Sequence, residues 1–135
     1  MSQLTEVARR RVVFADCNAR QVMHYEAYFR LFEIGRAEFF RRLGHPFADY
    51  IARGQYLAVF ESECRYYKPI VYDDEVIIRA GAGEVARVWV RVDYELTRSG
   101  SGVLASGFTS LAAVDEDGKI QRIPMEVREA LRAAT

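Results

Sequence analysis

Residues 14 to 43, FADCNARQVMHYEAYFRLFEIGRAEFFRRLG, constrain the fold most. They describe a strand end, a short polar turn and one long helix with an arginine inside its apolar stripe. At 100° per residue, Tyr25, Tyr28, Phe29, Phe32, Phe39, Phe40 and Leu43 fall within about 60° of one line. Arg36 falls at about 20°, near the middle of that stripe. A guanidinium stays charged, so at such a position it must be paired, hydrogen-bonded or turned to a polar cavity. A break in a rule that the neighbours obey marks Arg36 as a candidate for function.

The helix is expected over about 24 to 43, stopping at Gly44 with Pro46 beyond it. Glu26 to Arg30 and Glu38 to Arg42 add two i,i+4 pairs in the favourable orientation. Ahead of it, residues 7 to 15 predict a first strand, and 45 to 55 an irregular or briefly helical connection. From Leu57 to Ile123 the chain predicts β structure. In residues 57 to 70, Ala58, Phe60, Ser62, Cys64 and Tyr66 alternate with Leu57, Val59, Glu61, Glu63 and Arg65. Residues 85 to 96 alternate Ala86, Val88, Val90, Val92, Tyr94 and Leu96 against charged neighbours, the pattern of an antiparallel strand with one buried face. Turns are expected at Gly81–Glu84, Ser99–Gly102 and Asp115–Gly118. The segment 81 to 86, GAGEVA, mimics a dinucleotide fingerprint, but a strand pattern follows it where that fingerprint needs a helix. A short helix opens at Pro124.

These elements fit one domain over residues 1–135, of α+β class, with about five antiparallel strands in a curved sheet around one long helix. Exposed sheet edges make pairing with a second copy attractive. With 19 acidic and 19 basic residues there is no net field favouring nucleic acid or a membrane surface. No run approaches a membrane span, and MSQLTEVARRR lacks the apolar stretch of a signal peptide. Cys17 and Cys64 fit thiols of a reducing cytoplasm, the expected location. The scattered His24, His45 and two cysteines give no metal-ligand spacing, so no metal is expected.

Three segments resemble the hotdog-fold thioesterases of the 4-hydroxybenzoyl-CoA thioesterase-like superfamily. They are FADCNARQVMHYEAYFRLFEIGRAEFF, YYKPIVYDDEV and RIPMEV, in the family's order and spacing. The resemblance implies a homodimer with a continuous sheet, often assembling to a homotetramer. It also implies an acyl-CoA or acyl-carrier-protein thioester as substrate, a site at the subunit interface and no cofactor. Asp16 matches the first aspartate of the family's turn, and Asn18 the second, which is the catalytic carboxylate of the 4-hydroxybenzoyl-CoA enzymes. Tyr25 matches the residue whose backbone N–H binds the thioester oxygen. Gln21 stands where the family has glycine, and Ala27 where it has asparagine. Hotdog thioesterases of enediyne polyketide pathways also carry asparagine at the Asn18 position, with a catalytic arginine matching Arg36.

Asparagine can orient water or donate to a carbonyl, but it cannot act as a general base. The proton then needs another acceptor, with Asp16 and Glu33 the sequence candidates. Plain structural roles compete: Asn18 as a turn residue, Asp16 as a turn anchor, Arg36 in an ion pair. Cys17 as nucleophile lacks an activating histidine. Besides hydrolysis, two functions fit the chain: non-catalytic thioester binding, and a hydratase or dehydratase using His24 with Glu33.

Overall fold

The computed structural model describes residues 3–135; Met1 and Ser2, which begin the N-terminal stretch considered above, lie outside it. The elements are β1 (Thr5–Arg11), a 3-10 turn (Phe14–Asp16), α1 (Tyr25–Arg42), α2 (Phe47–Ala52), β2 (Tyr56–Tyr66), β3 (Glu75–Val85), β4 (Trp89–Arg98), β5 (Gly102–Val114) and α3 (Met125–Ala133). All five strands join one antiparallel sheet in the order β1-β3-β4-β5-β2. The α+β architecture expected from the helix stripe and the strand alternation is present.

The inner sheet face carries Val76, Ile78, Ala80 and Ala82 of β3 and Val90, Val92, Tyr94 and Leu96 of β4, all buried. Against it α1 buries Ala27, Tyr28, Phe32, Gly35, Phe39 and Phe40. The buried arc is therefore centred to one side of the line drawn from sequence. Tyr25 and Arg36 fall at its margin: Tyr25 is exposed and Arg36 only half-buried. Gly35 lets the helix seat closely, since a Cβ there would lie 2.8 Å from Ile78 Cγ2. Phe40, beyond Arg36 on the same side of the arc, is covered by α2 through Phe47 and Tyr50, with ring centroids at 4.9 and 6.3 Å.

Several boundaries differ from expectation. The first strand ends at Arg11, and Phe14–Asp16 coil into the 3-10 turn. No turn forms at Gly81–Glu84. β3 runs through it with a register shift between Ala82 and Val85, and the chain reverses at residues 86 to 88, taking Ala86 and Val88 out of the strand. The glycine serves close approach there: a Cβ on Gly81 would lie 2.3 Å from the Gln3 carbonyl oxygen. In β2 a bulge between Val59 and Glu61 inserts Phe60. Leu57 and Val59 consequently share the inner face with Ser62, Cys64 and Tyr66 instead of opposing them. The turns at Ser99–Gly102 and Asp115–Gly118, the helix at Pro124 and the brief helix in 45 to 55 are where expected.

The two sheet edges differ in chemistry. β1 is short and guarded by Arg9, Arg10 and Arg11. β2 has eleven residues, most of them exposed, and displays Tyr56, Val59, Phe60 and Tyr66. Glu61, Glu63 and Arg65 are exposed among these apolar residues, and an exposed edge strand of this length with that much apolar surface is rare on a monomer. α1 packs chiefly on β1, β3 and β4 and meets β2 through Tyr66, while α2 packs on β2.

Candidate active site

The turn that leads into α1 is built by its own polar groups. The Asn18 N–H donates to the Val22 carbonyl and the Gln21 N–H to the Asn18 carbonyl, both at 2.9 Å. The Asn18 side-chain oxygen accepts from the Arg20 and Val22 N–H groups, at 2.9 and 3.2 Å. Both lone pairs of Oδ1 are thereby used, and only the Nδ2 hydrogens remain to act outward. Asn18 is a turn residue and, through Nδ2, an available donor.

Gln21 occupies the left-handed region at φ 68°, where the family's glycine carries no penalty. Its Oε1 is buried without a hydrogen-bond partner among the described residues. The conformation costs a residue with a Cβ about 1–2 kcal/mol, and an orphaned buried acceptor adds a similar amount. Gln21→Gly should therefore raise unfolding free energy by about 1 kcal/mol or more, after the extra chain entropy of glycine is allowed for. Urea denaturation measures it; a loss of stability would mean that the amide is satisfied in the assembled protein.

Asp16 is engaged by Arg30 of α1, and its carbonyl accepts the His24 N–H at 2.9 Å. It anchors the turn to the helix. Cys17 donates its thiol to the Val13 carbonyl at 3.7 Å. Burial first, and the Asp16 charge second, push that thiol up, away from nucleophilic thiolate.

α1 begins at Tyr25 with His24 in the capping position and no side-chain cap. The N–H groups of Tyr25 and Glu26 have no hydrogen-bond partner among the described residues. An 18-residue helix thus presents open donors and the positive end of its dipole beside the Asn18 turn. A cleft of about 260 Å³ adjoins them, lined by Val22, Met23, Tyr25, Tyr28, Tyr66 and Lys68 among others. Tyr66 packs on Tyr28 and Tyr25, with centroids at 4.7 and 5.3 Å. Burial pushes its phenol up to about 12, so a hydroxyl faces the cleft at neutral pH.

Arg36 lies elsewhere. It lines a second cavity of about 220 Å³ with Phe29, Arg30, Glu33, Val59, Ser62 and Thr109. Among the described residues neither Arg36 nor Glu33 forms an ion pair within the protomer. Eleven residues separate Tyr25 from Arg36, which places them about 16 Å apart along the helix, and Glu33 is about 12 Å from Tyr25. One protomer therefore does not bring Asn18 and Tyr25 together with Arg36 or Glu33. Both cavities open along the β2 edge, through Tyr66 at one and Val59 and Ser62 at the other.

Ser62, Tyr94 and Thr109 of the second cavity and its floor were not singled out from sequence. Their available signal is a hydroxyl at an inward position of an otherwise apolar strand. Thr109 is buried on β5, within the run GFTSLAAV.

Comparison with known proteins agrees with this architecture. A protein of Aquifex aeolicus (strain VF5), named "Putative esterase", is 33% identical over 126 residues, covering 93% of this chain and 97% of the relative. A hypothetical protein from Thermus thermophilus superposes with a TM-score of 0.89 at 27% identity, covering 97% of this chain and all of its own. A structure named as a gentisyl-coenzyme A thioesterase has a TM-score of 0.86 at 23% identity, covering 96% of this chain and 99% of its own. The sequence profile of the thioesterase-like superfamily matches residues 12–131, and the chain belongs to that superfamily, with its hotdog fold.

Proposed function

We propose that the protein hydrolyses an acyl-CoA or acyl-carrier-protein thioester in a homodimer, with each site built from both protomers. The Asn18 turn and the Tyr25 N–H come from one, and Glu33 and Arg36 from the other. The observation that carries this reading is the open start of α1 beside the long exposed β2 edge, with the Arg36 cavity on that same edge. Antiparallel pairing of two β2 strands about a twofold axis gives an isologous interface and a ten-stranded sheet. A twofold axis of that kind turns each helix start toward the partner's half of the sheet. Pairing of two dimers into a tetramer would cover the outer faces, where a hollow of about 430 Å³ lies between Glu63, Arg65, Glu95 and Phe108.

In the reaction, water adds to the thioester carbonyl and its oxygen becomes an oxyanion. The Tyr25 N–H, with the helix dipole behind it, and Asn18 Nδ2–H donate to that oxygen. Glu33 takes the proton from the attacking water, because Asn18 cannot and Asp16 is occupied by Arg30. Arg36 adds positive charge beside the acyl group. Collapse of the intermediate breaks the C–S bond, and Glu33 returns the proton to the leaving thiolate. The products are the free acid and the thiol. The gentisyl-CoA name carried by one fold neighbour supports a CoA thioester. Two free thiols, Cys17 and Cys64, support a cytoplasmic location for residues 1–135 acting as one domain. Among the described residues no helix is long and apolar enough to cross a membrane.

Steady-state thiol release from a panel of aryl and fatty acyl-CoAs tests the reading. Turnover of at least one member is expected. Saturable acyl-CoA binding with no turnover by the wild type would replace hydrolysis by a binding function, and hydration of an enoyl-CoA would replace it by a hydratase.

A further inference from the structure

Beneath the second cavity lies a buried polar connection that the proposed chemistry does not use. Tyr94, on the central strand β4, is 1% exposed, and Thr109 on β5 is 2% exposed. Their hydroxyls are 2.6 Å apart. Thr109 also lines the Arg36 cavity, and Gly35 of α1 abuts the Tyr94 ring, so the residue beside Arg36 on the helix touches this tyrosine. Burial holds the Tyr94 phenol above its ordinary value, and the nearby Arg36 charge opposes that shift. Guanidinium has no acceptor, so toward either hydroxyl of this pair Arg36 can only donate. The two buried hydroxyls satisfy one another, and either can be the donor.

We propose that Tyr94 and Thr109 are positioning residues for Arg36, a hydroxyl pair that fixes its guanidinium at the wall of the acyl cavity. An arginine at the margin of the buried arc, with no carboxylate partner among the described residues, has many rotamers open to it. A single rigid acceptor on the central strand selects one of them. The ring of Tyr94 is itself fixed by stacking on Phe32, with centroids 4.4 Å apart and planes 7° from parallel. The proposal rests on the thioesterase reading, since its readout is turnover.

The experiment is a cycle of Tyr94→Phe and Arg36→Met, measured as kcat and KM on the best acyl-CoA of the panel. Tyr94→Phe keeps the stacked ring and removes the hydroxyl. It is expected to lower kcat about tenfold in the wild-type background and less than twofold in the Arg36→Met background. An equal loss in both backgrounds would show that Tyr94 does not act through Arg36, and no loss in the wild type would end the proposal. Should Tyr94→Phe fail to fold, Thr109→Val, which removes the hydroxyl that Tyr94 meets, carries the same cycle and the same criteria. A wild type that releases thiol from no acyl-CoA overturns the thioesterase reading and this proposal together. Turnover with an uncoupled cycle overturns this proposal alone.

Discussion

Glu33→Gln should lower kcat for thioester hydrolysis by about 10²–10⁴-fold, the usual worth of a positioned general base. The substitution is nearly isosteric, Glu33 is exposed, and among the described residues it forms no ion pair. The melting temperature should therefore shift by no more than about 2 °C, as for most surface changes. Asp16→Asn should behave in the opposite way, because its carboxylate holds the turn to Arg30. Steady-state kinetics paired with thermal melts separates the two roles. A Glu33→Gln variant at wild-type rate would remove Glu33 as the proton acceptor and return attention to Asp16.

Gly107→Ala should cause the largest loss of stability, about 3 kcal/mol or more, at the upper end of overpacking costs. A Cβ on Gly107 would meet the Glu63 carbonyl oxygen at 2.1 Å and Phe32 Cε2 at 2.7 Å. The first contact is β2 backbone and the second is a ring stacked on Tyr94, so neither has room to yield. Relief would require β5 to part from β2, the edge on which both cavities open. Urea or thermal unfolding checks this, and a melting temperature equal to wild type would show that the β2–β5 pairing is looser than described. The same absence of a side chain that seats Phe32 in the core also keeps Tyr94 flat beneath it, which ties core packing to the Arg36 position.

The helix, β4 and α3 were legible in the sequence because each buries one face, and burial of one face leaves a period. Bulges leave no such mark. Phe60 adds one residue to β2 and moves Leu57 and Val59 to the inner face, an outcome that strict alternation cannot anticipate. Gly81 showed the same limit: a glycine needed for close approach to another backbone resembles a turn glycine in composition. The position of Arg36 was correct in angle but not in depth. Sequence gives the residues of an apolar stripe, whereas the sheet it meets decides which part of the stripe is covered. Among the site residues, Asn18 belongs to the turn that precedes α1 and Tyr25 starts that helix. Arg36 belongs to a different cavity, because 11 residues of helix carry it about 16 Å away. Nothing in one chain's pattern reveals which second copy brings such groups together.

That composite arrangement is the central claim, and subunit mixing tests it most directly. Asn18→Ala should lower kcat by about 10- to 1,000-fold, through loss of one preorganised donor and slackening of its turn. Asn18→Ala and Glu33→Gln are each purified, then unfolded together and refolded as an equal mixture. If each site takes Asn18 from one protomer and Glu33 from the other, half of the dimers are mixed and each holds one intact site. The mixture should regain about a quarter of wild-type activity, set by that random pairing in a twofold dimer. If both residues serve the same protomer's site, every site in the mixture stays defective, and activity no greater than the average of the two variants would contradict the account.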